Sequence, residues 1–266
     1  MTLRTNVAGA DNFVLQEAIS AYSDEAYTNA RKLSGTGIVG SNPNIDTNTE
    51  TFIGQVRWFK KPEKHHTFIV SLDPAQGTGG DFAAIQIVDA TSMEQIGEWK
   101  HNKTDIPSQI KLIAQINKYI AECTGEPNNI YYSIECNGIG EAAIVSLNEY
   151  GESNIPGIFI SEAGKGRKGF NTTNKSKLAS CAKFKTLVES KKMTVNSRSL
   201  ISELKAFVAN GGSYAAKIGD TDDLIMASLL VTRMLQQLSD FHFDLESQIR
   251  DHDEFIAPLP FYAVMG

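Results

Sequence analysis

Apolar positions along the chain alternate between two rhythms: compact runs suited to strands, and stripes spaced three and four apart suited to helices. Read in order, the pattern predicts strands at 66–72, 82–89 and 94–100, a helix at 107–122, a strand at 129–135, a helix at 139–149 and a strand at 157–161. A polar loop at 162–174 follows. It leads into a helix at 175–190, a short strand at Met193–Val195, a helix at 199–209, a strand at 213–217 and a helix at 222–238. Ile110, Ile113, Ile116 and Ile120 mark the buried stripe of the first of these helices, and Pro107 suits its first turn. Three strands joined by short turns, followed by strands alternating with helices, predict an α/β fold. Its sheet is mixed, an antiparallel three-strand meander extended by parallel crossovers.

Outside this core, positions 12–32 carry helical spacing, and the Gly-, Ser-, Asn- and Thr-rich stretch from Ser34 to Thr51 reads as linker. The expected organisation is therefore an N-terminal helix and hinge over 1–50, a domain over 51–239 and a tail over 240–266. At 266 residues there is enough chain for a sizeable core. No apolar run is long enough to span a bilayer, and the N-terminus lacks a signal-peptide core. Three scattered cysteines, Cys123, Cys136 and Cys181, support neither a disulfide framework nor a zinc ribbon, so a reducing cytoplasm is the expected setting.

The chemistry concentrates where apolar strands run out. Ile69-Val70-Ser71-Leu72 ends in Asp73, Tyr132-Ser133-Ile134 ends in Glu135, and Asp222-Asp223 opens the last helix. Strand ends of open α/β sheets are where ligands bind. Carboxylates brought together there cannot all stay ionised without cations between them, so the set reads as a metal site. Taken singly, Asp73 before Pro74 fits a turn, and Asp222 and Asp223 fit an N-cap with first-turn acids. Glu135 is harder to place that way, because the strand before it should be buried. Asp81, beyond the Gln76-Gly77-Thr78-Gly79-Gly80 turn, is either a hairpin residue or an outer ligand. The five histidines, His65, His66, His101, His242 and His252, lack ligand spacing and read as structural or surface groups.

Charge adds a second feature. Net charge is −6, yet between Gly164 and Lys192 nine Lys and Arg face the single acid Glu189, a balance of 9 − 1 = +8. Lys165, Arg167 and Lys168 in the loop, with Lys175 and Lys177 on the helix after it, form a footprint for a polyanion. The absence of interleaved aromatics favours duplex over single-stranded nucleic acid. No phosphate-binding loop of P-loop or Rossmann type is present.

Together, Ser71-Leu72-Asp73-Pro74 with Gly77 and Asp81, Ser133-Ile134-Glu135-Cys136-Asn137, Gly169-Phe170 with Thr172-Thr173 and Lys175, and Asp222-Asp223-Leu224-Ile225-Met226-Ala227 resemble the nuclease domain of the tailed-bacteriophage terminase large subunit. The resemblance covers about residues 52–238 and implies a ribonuclease-H- or resolvase-like fold. It further implies that Asp73, Glu135 and Asp223 bind two divalent ions, Mg²⁺ or Mn²⁺, with Asp222 as a candidate for the third ligand and Asp81 nearby. Gln76 stands where some members carry Glu. The implied activity is two-metal hydrolysis of double-stranded DNA without strong sequence preference, cutting concatemeric viral DNA. The implied partners are the terminase ATPase motor domain, absent from this sequence, the portal protein and the small terminase subunit. The implied place is the cytoplasm of the infected host, outside the finished virion. Three rivals remain: a resolvase-like nuclease for branched DNA, a sugar-kinase-like phosphotransferase, and a non-catalytic portal-docking module.

Overall fold

The computed structural model describes residues 56–241, so the expected helix at 12–32, the linker and the tail after Phe241 lie outside the described residues. Eight strands and five helices make up the described part. In chain order they are β1 (Arg57–Trp58), β2 (Phe68–Asp73), β3 (Ala83–Asp89), β4 (Glu94–His101), α1 (Ile106–Thr124), β5 (Ile130–Ile134), α2 (Ile139–Tyr150), β6 (Ile158–Phe159), α3 (Asn174–Glu189), α4 (Arg198–Ala206), β7 (Phe207–Asn210), β8 (Ser213–Ala216) and α5 (Asp223–Phe241). The main sheet has six strands in the order β1-β4-β3-β2-β5-β6. Strands β2, β3 and β4 form the expected antiparallel meander, and β5 and β6 extend it in parallel.

Strands β2, β3 and β5 are apolar at most positions and are buried on both faces, as central strands covered by helices on each side must be. Strand periodicity assigns the faces. Phe68, Val70, Leu72, Ile85, Ile87, Ile130, Tyr132 and Ile134 pack with α1 and α2. Ile69, Ala84 and Val88 pack on the other face with α3, α4 and α5. Asp105 caps α1 by accepting from the Ser108 amide at 2.8 Å, and Gly125 ends it in the left-handed conformation.

The differences from the sequence expectation are local. Strand β1 was not anticipated: two residues are too few to show alternation, and the sheet recruits them by burying Trp58 against Tyr119, with ring centroids 4.8 Å apart. The expected helix at 199–209 stops at Ala206, and Phe207–Asn210 pairs with Ser213–Ala216 instead. Gly211 and Gly212, both at positive φ (56° and 85°), supply the two-residue hairpin turn that lets pairing win over helical continuation. The expected strand at Met193–Val195 reduces to one bridge between Thr194 and Glu94. Strand 157–161 shortens to Ile158–Phe159 at the sheet's margin. Helix α5 runs to Phe241, past the expected helix end at 238.

Candidate active site

Register brings the carboxylates together. β2 and β5 run parallel with Leu72 opposite Ile134, and the Glu135 amide donates to Leu72 O at 2.9 Å. Asp73 and Glu135 therefore leave adjacent strands side by side. Both have the odd-numbered parity of Ile69 and Ser71, which point to α5; Ser71 Oγ donates to Ala227 O in that helix at 2.8 Å. The first residue of α5 is Asp223, with Asp222 just ahead of it. Strand order is not written in the sequence, and this pairing sets the strands predicted at 66–72 and 129–135 side by side.

The turn after Glu135 holds it closely. A Cβ on Gly140 would lie 2.0 Å from Glu135 O, so only glycine fits where the chain doubles back into α2. On its other side Glu135 bridges to Phe170, and the Cys136 amide donates to Phe170 O at 2.9 Å.

The electrostatics of the four acids differ. The Asp73 carboxyl is held well above the usual carboxylate range, chiefly by burial, then by the hydrogen bond and charge of Glu135, then by the charges of Asp223 and Asp222. Every one of those influences disfavours its ionised form. Asp223 is raised by burial, offset in part by Lys100, whose Nζ lies 3.0 Å from Asp223 Oδ2. Asp222 faces Lys177 at 3.7 Å. Glu203, from α4, is pushed up to about 7 by burial against the opposing pull of Lys100. It also accepts from the Ile225 amide at 3.2 Å, capping the first turn of α5 from another helix.

Lys100 and Glu203 escaped the sequence reading, although register offers a signal for the first. Asp73 is opposite Ala84 and Ala84 is opposite Lys100, so the two charged groups share one face with only a methyl between them. Glu203 carries no such mark, since its place depends on how α4 packs.

The basic loop is anchored beside the site. The Glu162 amide donates to Gly169 O at 3.0 Å, Arg233 of α5 pairs with Glu162 at 2.9 Å, and the Phe170 amide donates to Ile134 O at 3.1 Å. Lys165 and Lys175 are exposed. Arg167 is exposed and reaches Asn171 Oδ1 at 3.4 Å, while Lys168 turns to Asn148 and Glu152 on the α2 side. Lys177 leaves this group for Asp222. Asp81 and Gln76 sit exposed in the turn between β2 and β3. His65 pairs with Glu126, His66 with Asp89 and His101 with Thr104, all away from the acids; His242 and His252 lie outside the described residues.

As they stand, no three Asp, Glu, His or Cys groups among the described residues present a formed metal cradle. The reason is visible in the pairings: Asp73 turns to Glu135 and Asp223 to Lys100. The donor set nevertheless fits a hard divalent cation, being oxygen-only, partly desolvated and too negative to be comfortable without one.

A model of the terminase RNaseH-like domain matches residues 70–235, more than half of the chain. The chain belongs to the terminase RNaseH-like domain family. Solved structures agree on the fold. The magnesium-bound large terminase nuclease of thermophilic phage G20c is 16% identical with a TM-score of 0.53, over 68% of this chain and 87% of that one. The cobalt-bound form of the same phage protein matches with a TM-score of 0.52, and a further G20c structure with 0.51, each at 16% identity. The cobalt-bound match covers 68% of this chain and 87% of that one, and the third covers 66% and 87%. The matched span of the terminase domain contains all four acids, Lys100, Glu203 and the basic loop. No helix among its described residues is long and apolar enough to cross a membrane.

Proposed function

We propose that this terminase domain is a metal-dependent endonuclease that hydrolyses double-stranded DNA without strong sequence preference during viral genome packaging. The observation that carries the reading is Asp73: a desolvated carboxyl whose neighbours Glu135, Asp223 and Asp222 all oppose its charge. A protein keeps such a group where a cation is to be received. Magnesium and cobalt in the G20c structures support a divalent cation as the occupant.

Asp73 and Glu135 would give up their mutual hydrogen bond and turn their oxygens outward, joined by Asp223, with Asp222 held near by Lys177. Two divalent ions there, Mg²⁺ or Mn²⁺, would supply an activated water and neutralise the leaving oxygen. Lys165, Arg167 and Lys175 are exposed and would meet backbone phosphates beside the acids, which gives affinity without base readout. The reading also takes Asp81 as an outer residue of the site. An ATPase motor, portal and small terminase subunit would be the partners, in the infected host's cytoplasm.

The test is nicking of supercoiled plasmid with Mg²⁺, Mn²⁺ or EDTA, comparing wild type with Glu135→Gln. Metal-dependent nicking that the variant loses is the expected result. Nicking untouched by the substitution would remove the site assignment, and no nicking with either metal would leave a docking role. Preference for a four-way junction over linear duplex would move the substrate to branched DNA.

A further inference from the structure

Lys100 collects partners that a surface lysine does not. Its Nζ ion-pairs with Glu203 Oε1, bonds Thr221 Oγ1 at 2.6 Å, lies 3.0 Å from Asp223 Oδ2, and stands 4.5 Å over the Phe82 ring. Glu203 Oε1 and Thr221 Oγ1 each take a hydrogen bond from the ammonium group, while Asp223 Oδ2 is a charge contact. The side chain is only 15% exposed.

Its two carboxylates hold it unequally. Glu203 is within hydrogen-bond reach and is itself fixed by Thr221 and by the Ile225 amide. Asp223 Oδ2, by contrast, is buried and satisfies no hydrogen bond despite the charge contact. Lys100 is thus anchored on Glu203 and leans on Asp223.

We propose that Lys100 is a resident counter-cation of the acid cluster, which neutralises Asp223 in the metal-free domain and withdraws onto Glu203 when a divalent cation takes Asp223. The inference rests on the reading of the acids as a metal site. Without Lys100, the ion pair that offsets Asp73, Glu135, Asp222 and Asp223 among the described residues would be that of Lys177, 3.7 Å from Asp222. With it, the cluster survives empty, at the cost of a competitor for one ligand. Lys100 is then a positioning residue acting through Asp223, and Glu203 is the seat that makes its withdrawal possible. Thr221, bonded to both Lys100 and Glu203, is the fixed point about which the ammonium shifts.

The test is calorimetric titration of Mn²⁺ into chelator-stripped protein without DNA, for wild type, Lys100→Met, Glu203→Gln and the double variant. Methionine keeps the stem packing and removes the charge. Lys100→Met should bind Mn²⁺ about tenfold more tightly, because a positive charge beside the incoming ion is gone. Glu203→Gln should bind roughly threefold to tenfold more weakly, since the ammonium then stays on Asp223. In the Lys100→Met background the Glu203→Gln change should alter affinity by less than about twofold, as its effect passes through the ammonium. Unchanged or weaker binding by Lys100→Met, or simple additivity of the two substitutions, would overturn the exchange and leave a static ion pair. If Lys100→Met does not fold, Glu203→Gln decides alone: weaker binding upholds the proposal and unchanged binding sinks it. Wild type that takes up no Mn²⁺ fails differently, by removing the metal site itself.

Discussion

Two carboxylates on the α5 side of the same sheet, the buried Glu98 and the half-buried Asp73, meet opposite fates. Both are raised first by desolvation. Around Glu98 everything else pulls the other way: Arg57 lies 2.6 Å from it, and Ser197, Gln95 and Lys100 all favour its charge. Gln95 continues that polar row to Gln86 at 2.8 Å and accepts from the amides of Asn196 and Ser197. Around Asp73 the three named neighbours are acids. The charge of Glu98 is surrounded by its own solution, whereas that of Asp73 is left short of one, as the proposed cation site requires.

Breaking the acid side of this comparison should have the largest effect. Asp73→Asn or Glu135→Gln should lower plasmid nicking by at least about 10³-fold, the scale of removing a principal stabiliser of developing charge. Circular dichroism should show the fold intact, and a variant that unfolds instead would make Asp73 structural. Breaking the satisfied side should do the reverse. Arg57→Ala leaves Glu98 buried without its cation and should cost about 3 kcal/mol in denaturant unfolding, while the Mn²⁺ affinity stays at the wild-type value. A changed affinity would mean that the two rows are one site.

A smaller effect concerns stability without metal. The folded domain holds the Asp73 proton more tightly than the unfolded chain does, so no penalty exists below the ordinary carboxylate range near 4. The penalty grows as pH rises through the raised folded value. In EDTA the melting temperature should therefore fall with rising pH more steeply for wild type than for Asp73→Asn. At neutral pH the variant should be the more stable of the two. Equal melting curves would show that Asp73 is not crowded. Glu203, at about 7, adds a penalty in the same direction between its ordinary range and neutrality. The smallest effect belongs to the loop: Lys165→Ala should weaken duplex binding a few-fold, roughly evenly across sequences, and lower the salt slope by about one. Lys168→Ala, tied to Glu152 and Asn148, should change it less.

Local signals wrote most of the fold into the chain. Strand and helix rhythms, Pro107 in the first turn and the apolar stripe of α1 are set by neighbours in sequence, so they are legible there. Glu135 stood out as a candidate too, because a carboxylate ending a buried apolar strand needs a partner or a cation. What failed was short or contested. Arg57–Trp58 is too brief to show a period, and Phe207–Asn210 suits helix or strand until Ser213–Ala216 pairs with it.

The sequence by itself determined which residues carry negative charge at strand ends, which stretch carries positive charge, and the α/β order that connects them. Only the tertiary structure decided that β2 lies against β5, that Lys100 shares a face with Asp73 across Ala84, and that Glu203 comes from α4 to hold Lys100 and cap α5. The physical reason is range: periodicity and capping act within a few residues, while charge pairing depends on distances that exist only after the sheet registers and the helices pack.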